Sequence, residues 1–372
     1  VTLLWSIEAA LLFWVGRTKS ISMYEHIAYP LMALAALSLY QDWGLVFNYI
    51  DVDSEITIHP ILNSGFLTSL IFIASFGFIY KTKTNNSNTS PLTAEMAKVV
   101  WFLVPTILLS TLYFSLRLEL ELYWQNLFSA SKVTIDQYDT SYNYDLHKFK
   151  NVCVILYSML FVSVLSFINI KKLKNKLLGH ITLVLLALVL FTFLVQGLYN
   201  LSELRDSYIS QTNAEYYRID RLHIWFRYAT FPFVTFVLFA SYTYIRQEFM
   251  EVKLRKVFQF CLSLTGLWIL SSELIHWLDL SNSAQSYKLG LSILWGTYAL
   301  LLSSIGIWKK NQHLRIVAIG LFSTTLVKLF FYDIAHLDTI SKTIVFLSLG
   351  VLLLIISFLY TKFKTNITDD EN

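Results

Sequence analysis

The stretch Ile181–Leu198 reads ITLVLLALVLFTFLVQGL and holds no Asp, Glu, Lys or Arg. As a helix rising 1.5 Å per residue it covers most of a bilayer core about 30 Å thick, so it reads as a transmembrane segment. Lys171, Lys172, Lys174 and Lys176 precede it, and Glu203, Arg205 and Asp206 follow it. Moving outward, the same texture recurs at Ala9–Val15, Leu67–Tyr80, Val99–Leu116, Val152–Ile170, Phe231–Tyr244, Leu289–Trp308, Ile316–Tyr332 and Ile344–Tyr360. Each block is nearly free of charge. The spacing predicts eleven spanning helices, at about 1–16, 24–41, 62–80, 98–116, 151–170, 179–200, 227–245, 257–276, 289–308, 314–332 and 342–361.

Composition agrees. Of 372 residues, 55% are hydrophobic and only 15% charged, where soluble domains carry about 25% charged residues. A soluble enzyme, a disordered chain, a collagen-like fibre and a disulfide scaffold are excluded. Cys153 and Cys261 both lie in apolar blocks and make neither a disulfide framework nor a CxxC metal site. Val stands at position 1 with no recognisable signal peptide, which reads as a fragment with at least one helix upstream. The expected organisation is one transmembrane domain, 1–361, with a short tail, 362–372.

The charges are sorted by side. One set of connections is basic: Arg17 and Lys19, Lys81 and Lys83, Lys171 to Lys176, Arg246 to Lys256, Lys309 to Arg315, and Lys362 with Lys364. The other set is acidic. Lys and Arg favour the cytoplasm in short loops, so the N-terminus is expected outside and the C-terminus in the cytoplasm. Topology thereby accounts for the net charge of +4 without nucleic acid. Even-numbered helices end near Asp42, Glu119, Glu203, Glu273 and Asp333, which makes a helical hairpin repeated five times plus a closing helix. The match is best at 3–42 and 292–333. Trp5 to Gly16 and Trp295 to Gly306 are equally spaced, and a basic turn and an apolar helix follow each. A bland alternative is that any alternating chain looks periodic by charge. Asp136 to His147 reads as a loop or short interfacial segment.

Residues 292–361 resemble a bacterial family of polytopic membrane proteins known as domain of unknown function twenty-three thirty-nine. The residues carrying the likeness are Ser292-Ile-Leu-Trp295-Gly-Thr-Tyr298, Gly306, Leu314-Arg315, Leu326-Val-Lys328-Leu-Phe-Phe-Tyr332-Asp333 and Phe346-Leu-Ser-Leu-Gly350. The pattern departs at Lys342 and Val345, where members tend to carry Arg and Ser. The resemblance implies a location in the inner membrane of a bacterium and a longer, many-helix parent, and it implies no chemistry.

Ionisable groups inside the hydrocarbon invite a functional reading. Glu8 lies mid-way along the first helix, either paired in the bundle or nearer the surface than it looks. Lys328 lies within snorkelling reach of the outer end of its helix, and is expected to pair with Glu273 or Asp42 or to touch a ligand. Glu273-Leu-Ile-His276 and Asp333-Ile-Ala-His336 share the spacing acid-x-x-His, which puts carboxylate and imidazole on one helical face. They are the candidate catalytic residues of an outer-face transferase or hydrolase, with Glu119 and Glu121. The competing reading is a polar rim capping helix ends. A carboxylate–histidine metal site would need further carboxylates, and no metal is expected. Arg205, Asp206, Glu215, Arg218, Asp220, Arg221, His223 and Arg227 mix both signs amid Tyr216, Tyr217, Trp225 and Tyr228. This suits lipid headgroups or sugars, and equally an interfacial aromatic belt. Arg218, Arg221, Lys328, Glu119 and Glu121 are the candidate ligand contacts. No Walker loop, GxSxG, HExxH or GxGxxG motif occurs, and no cofactor is expected.

The leading expectation is a non-enzymatic envelope protein that contacts the bilayer and a lipid- or sugar-linked ligand at the periplasmic face. An enzyme is the first alternative. A transporter is the second, disfavoured because only Pro30, Pro105 and Pro232 interrupt helices.

Overall fold

A computed structural model describes residues 1–48, 58–85, 94–136, 139–251, 254–283, 287–329 and 339–362. Eleven helices form among them. They are α1 (Thr2–Lys19), α2 (Ser22–Asn48), α3 (Ser64–Asn85), α4 (Ala94–Ala130), α5 (Asp145–Leu173), α6 (Lys176–Ser210), α7 (Leu222–Ile245), α8 (Arg255–Leu280), α9 (Tyr287–Trp308), α10 (Gln312–Lys328) and α11 (Thr339–Lys362). Each has a counterpart in the sequence reading, and the fold is all-α and polytopic. Seven of the eleven, α3 to α9, contain a stretch long and apolar enough to cross a membrane. The other four fall short as described. Glu8, Arg17 and Lys19 load the short α1, Glu25 and Asp42 load α2, and only 17 residues of α10 are described. Their outward faces are nevertheless apolar, with Leu4 67% and Leu37 67% exposed. Such surface is stable against lipid and costly against water.

Helix bounds differ most at the polar ends. α4 continues to Ala130 rather than stopping near residue 116, because Arg117 and Glu121 pair one turn apart, 2.8 Å, and Leu122 and Phe128 stay buried. The segment read as a loop forms a two-stranded antiparallel hairpin, β1 (Val133–Asp136) and β2 (Asp139–Ser141), and then the first turn of α5.

The chain divides into two compact units, Val1–Tyr157 and Ser158–Asn372. In the first, α1 packs on α2 and α3, and α3 on α4. Ala9, Ala28 and Ala35, all fully buried, let backbones approach, and Phe13, Phe72 and Phe76 fill the space beside them. Arg17 and Glu25 form a buried ion pair at 3.0 Å, and Tyr29 donates its hydroxyl to Glu25 at 2.5 Å. At the opposite end of α1, Thr2 donates to Asp42 at 2.5 Å and lies 2.6 Å from the Ser38 hydroxyl. Glu8 is exposed on the face of α1 turned away from this core.

In the second unit Leu186, Phe193, Leu201, Leu204, Val237 and Tyr244 are buried among α6, α7 and their neighbours. A polar knot fixes the turn between α5 and α6. Buried Asn169 donates to the Tyr244 hydroxyl and to the Asn175 carbonyl, and accepts from Asn175 N–H. Asn175 then caps α6 by accepting from Leu178 N–H. α6 carries a π-turn at Phe193–Gly197, where the Gly197 α-carbon lies so close to Phe193 that an added Cβ would sit 2.7 Å from the ring.

The two end hairpins close alike. Gly16 faces Glu25 and Gly306 faces Arg315; Ser20 and Lys310 both take the left-handed conformation; Ile21 N–H and Asn311 N–H return to the Gly16 and Gly306 carbonyls. Thr2 meets Ser38, and Ser292 meets Lys328, each across the same separation of 36 residues.

Lys176 at the start of α6 pairs with Glu251 beyond α7, and both are exposed. The Lys176 ammonium, by hydrogen bond and by charge, holds the Glu251 carboxyl below its ordinary value. A depressed carboxyl pKa stabilises the fold above the unfolded value, and that contribution is lost as pH falls through the folded one. Because the pair is solvated, Glu251→Gln is expected to move the thermal midpoint at neutral pH by less than about 1 °C in 0.5 M salt, as read by a melting curve.

Candidate functional site

α8 presents Glu273, His276 and Asp279 at three-residue intervals, which places all three side chains on one stripe of the helix. Facing that stripe are two arginines from other elements. Arg227, on α7, is fully buried; its Nε donates to Glu273 and its Nη2 to Ser272 Oγ at 2.6 Å. Arg205, near the end of α6, is 5% exposed. Its Nη2 lies 2.8 Å from Asp279, and its Nε and Nη2 also donate to Asp206 at 3.0 and 2.8 Å. Placing two guanidinium groups out of water is costly unless each meets a carboxylate, and each does.

His276 lies between the two pairs. It is fully buried, within electrostatic reach of both Arg227 and Arg205, and edge-on to Tyr228 and Trp277 at ring distances of 6.3 and 6.0 Å. Neither ring nitrogen has a hydrogen-bond partner among the described residues, and the same holds for Nη1 of Arg205 and Nη1 of Arg227. Buried polar atoms are nearly always satisfied. Four unsatisfied nitrogens on three neighbouring residues therefore leave hydrogen-bonding positions that water or a ligand could meet, with acceptors for the two guanidinium Nη1 groups and for one imidazole N–H, and a donor for the other imidazole nitrogen. Just before α7, Asp220 accepts from Leu222 N–H at 3.0 Å, and Nδ1 of buried His223 lies 3.1 Å from the Asp220 carbonyl oxygen. Arg218 pairs with Asp220 at 3.1 Å but is 89% exposed, and Arg221 is exposed too. Trp225 and Trp277 are 64% and 58% exposed.

The sequence-derived candidates divide as follows. Glu273 and His276 do come together, but Glu273 is bound to Arg227 rather than to Lys328. The physical reason is that a fully buried guanidinium has the stronger need of a carboxylate than an ammonium that can reach a hydroxyl. Lys328 donates to Ser292 Oγ at 2.8 Å and lies 6.0 Å from the Trp295 ring centre. Asp333 and His336 lie outside the described residues. Arg205 and Arg227 belong to the mixed-charge stretch of the sequence and Asp279 follows the acid-x-x-His motif, but no motif joins these three to Glu273 and His276. The i, i+3, i+6 spacing of Glu273, His276 and Asp279 is the signal that was available.

In the first unit, Glu119 of α4 accepts from Ile61 N–H at 2.6 Å and from the Asn63 amide at 2.9 and 3.0 Å. It lines a cleft with Trp43, Asn63, Phe66, Ser69 and Ser115. Glu121 is held by Arg117. Among the described residues no three His, Cys, Asp or Glu side chains gather as a metal-binding group.

No curated protein and no solved structure shows significant similarity to this chain. A family profile described as predicted membrane protein (DUF2339) matches residues 1–363, far beyond the C-terminal stretch in which the likeness is read from motifs. With nearly its whole length matched, the chain belongs to the DUF2339 family of predicted membrane proteins.

Proposed function

We propose that this protein is a non-enzymatic component of a bacterial inner membrane that holds a lipid- or sugar-linked ligand at its periplasmic face, through phosphate or hydroxyl oxygens that accept hydrogen bonds from Arg205, Arg227 and His276. The observation that carries the reading is the group of four buried nitrogens without partners. The exposed tryptophans beside them are the residue type that concentrates at headgroup depth, and exposed Arg218 and Arg221 offer further charge to a phosphate. A hydrolase or transferase is supported less well. Both carboxylates of the cluster are spent on guanidinium groups, and His276 lacks the oriented acid partner that general acid–base work needs.

The test uses the full chain in nanodiscs of phosphatidylcholine, with phosphatidylglycerol titrated in and, separately, soluble glycerol 1-phosphate or glucose. His276→Leu keeps both ion pairs while removing the imidazole. Wild type is expected to gain thermal stability on addition of phosphatidylglycerol, with apparent affinity about tenfold lower in His276→Leu, one hydrogen-bonded contact to a charged group. A response to glycerol 1-phosphate or glucose alone identifies a small-molecule headgroup. Identical titrations of wild type and His276→Leu, with all three probes, would sink the proposal.

A further inference from the structure

The cleft in the first unit differs in chemistry from the arginine cluster. Its walls come from the C-terminal part of α2 (Trp43), the residue leading into α3 (Asn63), the first turns of α3 (Phe66, Ser69), and α4 (Ser115, Glu119), and it holds about 20 Å³, room for one group the size of water or of a primary ammonium. Its one charge is the half-buried Glu119 carboxylate. That carboxylate is positioned by neutral donors only, the Ile61 N–H and the Asn63 amide, and no Lys, Arg or His among the described residues stands within ion-pair distance of it. Trp43 is likewise fixed, its indole N–H donating to Ser69 Oγ at 2.9 Å, while Ser69 itself donates to the Gly65 carbonyl. A rigid carboxylate without a counter-cation, set among Trp43 and Phe66, is deficient in positive charge. A carboxylate can accept about four hydrogen bonds, and the described residues provide three. Aromatic faces attract cations as well, most strongly when water is excluded.

We infer that this cleft binds an ammonium group, with Glu119 as the counter-ion and Trp43 and Phe66 as its aromatic walls. The group can reach the cleft as the headgroup of an aminolipid or as a small soluble amine, and the two sources separate experimentally. An anion is disfavoured by the Glu119 charge, which distinguishes this site from the arginine cluster of the other unit. The inference does not depend on that cluster.

The experiment is a thermal-shift titration of the purified full chain in phosphatidylglycerol nanodiscs. In one arm phosphatidylethanolamine replaces part of the lipid; in the other, ethanolamine or choline is added to the buffer. Wild type is expected to be stabilised in at least one arm. Glu119→Gln removes the charge and is expected to weaken the response about tenfold. Trp43→Leu leaves Glu119 and its donors in place and is expected to weaken it severalfold, which guards against a variant that merely misfolds. Stabilisation by the lipid alone assigns a headgroup site; stabilisation by ethanolamine or choline as well assigns a small-amine site. No response of wild type to any ammonium probe, or an undiminished response in both variants, would overturn the inference. His276→Leu should leave the response to ethanolamine or choline, added at fixed lipid composition, unchanged, so failure here and failure of the arginine-cluster reading are told apart.

Discussion

Arg227→Met is expected to lower the stability of the detergent-solubilised protein by up to about 3–5 kcal/mol, because it leaves Glu273, whose side chain is only 18% exposed, without its partner. The replacement conserves much of the side-chain volume, so the loss comes from electrostatics and from the hydrogen bond to Ser272 rather than from a cavity. Glu273→Leu, which strands a fully buried guanidinium, should cost a similar amount. The double variant Arg227→Met with Glu273→Leu is expected to recover most of the loss, since two apolar side chains carry no desolvation penalty. Melting curves of the four proteins close the cycle, and the coupling energy is read from the failure of additivity. Single variants that melt like wild type would show that the pair is hydrated and contributes as little as a surface ion pair. The other pair of the cluster offers an internal control. Asp206 is 57% exposed, so Asp206→Asn should be nearly silent while Asp279→Asn is not.

The helices were legible because the signal is one-dimensional. A charge-free run such as Ile181–Leu198 has a single stable form inside a bilayer, where every backbone group must be satisfied within its own segment. The basic turns carried equally local information, and Gly16 and Gly306 mark where two hairpins tighten in the same way. What the sequence did not disclose depends on rotation and on long-range pairing. Glu273 and His276 could be put on one helical face from their spacing, but no spacing rule connects them to Arg227 or Arg205. Those residues looked like two among many in an interfacial stretch of mixed charge. The continuation of α4 was hidden for a related reason. Arg117, Glu119 and Glu121 resemble the start of a loop when read by charge, yet Arg117 and Glu121 neutralise one another within the helix and Glu119 is held by α3's leading segment. The paired strands β1 and β2 have too little apolar alternation to be seen, and their main-chain pairing needs none.

Gly16→Ala and Gly77→Ala should shift stability in opposite directions, although both place a methyl group on a helix of the first unit. At Gly16 the new Cβ would lie 2.9 Å from the backbone nitrogen of Glu25 and 3.3 Å from its Cβ. Backbone does not yield as the far end of a side chain does, so α1 and α2 must separate at the point where Arg17 and Glu25 meet. Overpacking of that kind costs about 1–3 kcal/mol, and the strain falls on a buried ion pair with little tolerance for displacement. At Gly77 nothing lies within 4 Å of the added methyl, and alanine stabilises a helix interior by roughly 0.5–1 kcal/mol relative to glycine. Gly306→Ala provides the graded case. Its nearest neighbour, also at 2.9 Å, is the Cγ of Arg315, a side-chain atom that can swing aside, whereas the Arg315 nitrogen stands off at 3.1 Å. The expected order of melting temperatures is therefore Gly77→Ala at or above wild type, Gly306→Ala below it, and Gly16→Ala lowest. If Gly16→Ala melts with Gly77→Ala, the close approach of α1 to α2 is wrong, and with it the shared turn geometry of the two end hairpins.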